Sequence, residues 1–200
     1  AGHVRIFENI GGIWFQVGQD IDGVASGDRC GERISLSSSG NRISIGSPHN
    51  AGNGINAGHV RVFEDVGGNW TQIGQDIEGE SPGDGSGFTI SSSSNGNTVA
   101  IGAHINNGNG PSSGHVRVFQ YNGSSWIQIG NDIDGEAEED ENGWSVSLSS
   151  DGNTVAIGGQ DNDDNGTNAG HVRVYKNING SSWTQIGQDI DGEAAGDYSG

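Results

Sequence analysis

Methionine is absent from this chain of 200 residues, cysteine occurs once, proline three times, and lysine and arginine together only eight times. Each scarcity excludes something. A single thiol, Cys30, forms no internal disulfide, so no disulfide framework holds the fold and the redox compartment stays open. Eight bases against 26 acids give a formal charge of −18. That charge repels nucleic acid and anionic membrane and favours cations or basic partners. No apolar run approaches the roughly 20 residues needed to span a bilayer, so membrane insertion is not expected. Residue 1 is alanine with no signal-like segment behind it, and the stretch reads as a mature product or a window cut from something longer.

Hydrophobic residues are scarce too, at 30%, while glycine is plentiful at 38. Such a chain is either disordered or built from short strands joined by Gly-rich turns. Disorder goes with few β-branched and aromatic residues, whereas Val, Ile, Trp and Phe recur here at fixed places. The chain reads as folded β.

The recurrence is a tandem repeat. "GHVRIF" begins at Gly2, "GHVRVF" at Gly58 and Gly114, and "GHVRVY" at Gly170, each 56 residues after the last. Residues 144–188 illustrate one unit. "WSVSLSS" alternates, with Val146 and Leu148 on one face; "DG" supplies a two-residue hairpin turn; "NTVAIGG" returns; "HVRVY" runs out; and "NINGSS" turns it into "WTQIGQ". Four antiparallel strands result. Such a unit cannot bury both faces alone, so neighbours stack against it, and radial stacking of four-stranded sheets makes a β-propeller. The expected fold class is all-β, with an outer half-blade and connection over 1–31 and blades over 32–87, 88–143 and 144–200.

The segments "SGFTIS" (86–91) and "NGWSVS" (142–147), followed by a Gly-containing turn and by "TVAIGA" or "ISIGSP" leading into "GHVRVF", resemble the FG-GAP repeat of integrin-α-like propellers. The resemblance covers essentially the whole chain. Gly87-Phe88 stands in the region of the family's Phe-Gly pair, and Gly46-Ser47-Pro48 is nearest its Gly-Ala-Pro. It implies a propeller, extracellular or at the cell surface, working in adhesion or ligand binding. Many members bind Ca²⁺ between their first two strands, but the loops here are "SSSGNR", "SSNGNT" and "SSDGNT" with Asp151 as their sole acid, so that site does not carry over.

Acids gather instead in the connections between units, from Asp20, Asp76, Asp132 and Asp189, and in the 2–3 loop at Asp161, Asp163 and Asp164. The connections hold most of the 26 acids and fall on one face of a propeller disc. They offer carboxylates to a hard cation, with Ca²⁺ as the expected ion: Asp132, Asp134 and Asp140 in one loop, Asp189, Asp191 and Asp197 in the next. Turn chemistry gives the other reading, in which each Asp bonds its own backbone. "DNDDNG" (161–166) opens like a calcium loop, with Asp161, Asp163 and Asn165 as ligands, but Val172 stands where that pattern needs a bidentate Glu.

His3, His59, His115 and His171 recur with Arg5, Arg61, Arg117 and Arg173, and uniform repetition reads as structure, with each Arg pairing to carboxylates or strand-end carbonyls. Trp14, Trp70, Trp126 and Trp183 read as packing between blades, their indole N–H groups in need of partners. Among unrepeated residues, Cys30, His49, His104, Trp144 and Lys176 form no nucleophile–base set. Sequons stand at Asn69, Asn122, Asn165 and Asn179. The expectation is therefore a non-enzymatic extracellular binding or adhesion module, with a protein or glycan ligand on the acidic face and self-association through the open half-blade. The alternative is a structural repeat that assembles head to tail into a filament or stalk.

Overall fold

A computed structural model describes residues 1–200, and it contains strands and turns with no helix. The N-terminal stretch forms β1 (His3–Val4), β2 (Phe7–Ile10), β3 (Ile13–Gln16) and β4 (Ile21–Asp22), paired antiparallel as β1 with β4 and β2 with β3. Three sheets of one design follow. The first holds β5 (Arg33–Leu36), β6 (Arg42–Ser47), β7 (His59–Asp65), β8 (Trp70–Gln72) and β9 (Ile77–Glu78). The second holds β10 (Thr89–Ser92), β11 (Thr98–Ala103), β12 (His115–Tyr121), β13 (Trp126–Gln128) and β14 (Ile133–Asp134). The third holds β15 (Ser145–Leu148), β16 (Thr154–Gly159), β17 (His171–Asn177), β18 (Trp183–Gln185) and β19 (Ile190–Asp191). Each is antiparallel, with both short outer strands paired to the third.

That outer edge corrects the reading of a continuous fourth strand. β8 stops after three residues because Gly74, at φ +71°, turns the chain away from the sheet. Gln72 Nε2 donates to Asp76 Oδ1 at 2.6 Å and bridges the excursion, after which Ile77 returns opposite Val60 and Glu78 opposite His59. Residues expected in an acidic loop, Glu78, Asp134 and Asp191, thus lie on strands β9, β14 and β19.

Neighbouring sheets meet along their innermost strands. The Ser38 amide donates to the Ser94 carbonyl and Ser94 to that of Ser150, each at 2.9 Å, while Leu148 N–H reaches Ser91 Oγ. Between the first and second sheets Val60, Val62, Ile77, Val99, Ile101 and Trp126 form one apolar cluster, and a second of the same kind follows it. β7 and β12 are therefore covered on both faces, which is why valine alternates there with buried His and Arg, whereas on β17 of the last sheet Val172 and Val174 are only half-buried. The spacing is tight. A Cβ at Gly46 would run into the Gly87 carbonyl, and one at Gly102 into the Gly143 carbonyl, so the "IG" of each second strand is a packing requirement.

The repeated side chains tie each sheet to the one before it. Trp70, Trp126 and Trp183 donate their indole N–H to the carbonyls of Val17, Ile73 and Ile129 at 2.8–3.0 Å. Arg61, Arg117 and Arg173 donate through Nη2 to the carbonyls of Asp22, Glu78 and Asp134, all at 2.7 Å. Their guanidinium groups lie over Phe63, Phe119 and Tyr175.

Candidate functional site

The histidine that opens each third strand is buried between two acidic segments. His59, His115 and His171 have side chains 1, 2 and 0% exposed. Their strand partners on one side are Glu78, Asp134 and Asp191. The Asp that begins each excursion spends one oxygen on the Gln four residues earlier and turns the other toward the imidazole. Asp76, Asp132 and Asp189 Oδ2 stand 3.6, 3.7 and 3.8 Å from Nδ1.

The preceding connection adds a second acid. Glu80 Oε2 lies 4.0 Å from His115 Nδ1 and Glu136 Oε2 3.9 Å from His171 Nδ1. Their other oxygens face Arg117 and Arg173 at 3.4 and 3.5 Å. Val24 occupies the corresponding place before His59, and there Glu78 takes the second position at 4.0 Å. The clusters are His59–Asp76–Glu78, Glu80–His115–Asp132 and Glu136–Asp164–His171–Asp189, each with donor atoms within 4.8 Å of one another. They could hold a metal ion.

Electrostatics follow from the burial. Desolvation lowers the pKa of His59 and His171, and it takes His115 down to about 4, so the imidazoles are neutral at neutral pH. Burial, and the neighbouring Asp132 or Asp189, push the Glu80 and Glu136 carboxyls up against the pull of Arg117 or Arg173.

The metal residues expected from the sequence separate into distinct places. Asp132 and Asp189 belong to the clusters. Asp134 lines a hollow of about 230 Å³ with Glu80, Asp84, Asn106, His115 and Asp132. Asp191 lies on β19, opposite His171. Asp140 is spent on its own loop: Oδ2 accepts the Glu136 and Ala137 amides at 3.0 and 2.7 Å, and Asn162 donates to Oδ1. Asp197 Oδ2 likewise accepts the Ala194 amide. Asp161 and Asp163 border a separate hollow of about 330 Å³ with Glu138, Glu139 and Glu141. Asn165 points elsewhere, donating to the Gly192 carbonyl at 2.7 Å. The sequence reading missed His59, His115 and His171, together with Glu80, Glu136 and Asp164, as members of a site. The signal available was a Glu four residues after the Asp that opens three of the four connections, combined with a histidine at every repeat.

No protein-family model and no curated protein sequence matches the chain. Solved structures do. A candidate 6-phosphogluconolactonase from Bacteroides uniformis superposes over 94% of this chain and 48% of its own, with TM-score 0.64 and 15% identity. Another candidate 6-phosphogluconolactonase, from Bacteroides fragilis, covers 84% of this chain and 40% of its own, with TM-score 0.58 and 14% identity. The fold is propeller-like. At these identities the likeness is one of fold, and the chain spans about half the length of the structures it matches. It corrects the functional expectation all the same. The fold neighbours carry the names of enzymes, so the readings of a non-enzymatic adhesion module and of a filament are set aside, and the extracellular placement drawn with them loses its footing.

Proposed function

We propose that the three sheets are successive blades of a 56-residue repeat in a propeller hydrolase, and that its acidic face opens an uncharged lactone or related ester. The observation that carries this is the fold shared with two candidate lactonases over most of the chain, joined to a face where carboxylates surround neutral imidazoles. In the hollow holding Glu80, His115 and Asp132, a carboxylate is the base that takes a proton from water as it attacks an ester carbonyl, because burial leaves His115, at about 4, too weakly basic for the task. The phosphate in the neighbours' names is not carried over. Arg117 and Arg173, the cations beside the second and third clusters, are already engaged by Glu80 and Glu136, and the surrounding carboxylates repel a dianion.

Hydrolysis of δ-gluconolactone and of its 6-phosphate, followed in a pH-stat, tests the reading. The uncharged lactone is expected to open faster than it does spontaneously and the phosphorylated one to gain less; Asp132→Asn should remove the gain. Spontaneous rates for both substrates would overturn it. Calcium, the ion expected from the sequence, is proposed for the oxygen-only hollow between Glu138, Glu139, Glu141, Asp161 and Asp163. An unchanged melting midpoint in chelator would remove it.

A further inference from the structure

The three His–acid clusters are built to one plan and are not equal. The first lacks the preceding glutamate, since Val24 stands there; the second has it in Glu80; only the third adds a further carboxylate, Asp164, where the other two sheets carry Gly52 and Gly108. One imidazole and three carboxylates then converge from four segments. Glu136 comes from the connection before the sheet, Asp164 from its 2–3 loop, His171 from β17 and Asp189 from the outer excursion.

Acids that merely decorate turns are bonded to their own loops, as Asp140 is. The third cluster differs because His171 Nδ1, fully buried, has no hydrogen-bond partner although two carboxylate oxygens stand 3.8 and 3.9 Å away. An unmade bond at a buried nitrogen is a cost that native structures avoid. Two donors each about 2.1 Å from a shared ion lie about 3.0–3.5 Å apart, so a closure of a few tenths of an ångström would bring these atoms into coordination.

We propose that Glu136, Asp164, His171 and Asp189 form a binding site for one divalent transition-metal ion of the Zn²⁺, Co²⁺ or Mn²⁺ type. An imidazole nitrogen among carboxylates suits such ions, whereas Ca²⁺ and Mg²⁺ take oxygen alone. The ion would offset two of the three negative charges and satisfy Nδ1 in one step, and it would bind the third sheet in preference to the other two. The site stands on these side chains alone and does not depend on lactone hydrolysis.

Cobalt titration of the whole chain, read by visible absorption and calorimetry, is the test. One equivalent should bind with a spectrum of mixed nitrogen and oxygen ligation, unaffected by an equal concentration of Ca²⁺. Asp164→Gly, which installs the residue of the other sheets, and Glu136→Gln should each weaken binding by about tenfold or more. Both should melt with the parent chain in chelator, because Asp164 and Glu136 are exposed. Absence of saturable Co²⁺ binding, displacement by Ca²⁺, or parent-like affinity in both variants would overturn the assignment.

Discussion

Trp126 of the second sheet donates its indole N–H to the Ile73 carbonyl of the first at 2.9 Å, and the ring that makes this bond is only 2% exposed. Polar and apolar parts of one side chain thus act on the same joint. Trp126→Phe, which keeps much of the ring and orphans the carbonyl, should cost about 1–2 kcal/mol in urea unfolding. Trp126→Ala should cost about 3–5 kcal/mol. Equal losses in the two variants would mean that the hydrogen bond, and not the packing, holds the joint.

Gly74 lies against that same ring. Its φ of +71° disfavours any side chain, and a Cβ there would sit 2.6 Å from Trp126 Cδ1. Gly74→Ala is expected to lose about 1–3 kcal/mol, with a red shift of tryptophan emission as the indole is displaced.

Asp140 holds its loop by accepting two amides and the Asn162 side chain while 2% exposed. Asp140→Ala leaves the buried Asn162 side chain and two partly buried amides without their acceptor and should cost about 1–3 kcal/mol. Amide exchange at Glu136 and Ala137 should quicken first.

His104 packs against Phe88 and Trp144, with ring centroids 3.9 and 5.1 Å away, and its Nδ1 has no partner. Burial lowers its pKa to about 4 from the ordinary 6.5. The unfolded chain therefore takes up this proton at higher pH than the folded one. Stability from neutral His104 is complete above pH 6.5 and drains away as pH falls toward 4, at up to about 1.4 kcal/mol per pH unit. His104→Phe should lose less stability than the parent between pH 7 and pH 5. An identical pH dependence in both proteins would show that His104 takes up its proton at the same pH folded and unfolded, and so that burial does not depress it.

Much of the architecture could be read from the residues. Alternation in "WSVSLSS" and its hairpin turn marked β15 and β16, and the repeated tryptophans pointed to the joints between sheets that they do make. The split outer strand was hidden because "DIDG" carries the composition of a turn, and only pairing to the third strand gives Ile133 a reason to be buried. The site was hidden by the repeat itself. A histidine present in every unit reads as scaffold, and what distinguishes His171 is Asp164, from the 2–3 loop of its own sheet, added to Glu136, which arrives from the connection before it.

The arginine and tryptophan bonds between sheets all run the same way, from donors in a later sheet to carbonyls in an earlier one. Gln75, Ser38 and Ser94 answer in the opposite sense, donating from an earlier sheet to carbonyls of a later one. Each joint is thus stitched from both sides, and a sheet stripped of either neighbour is left with donors or carbonyls that only water can answer.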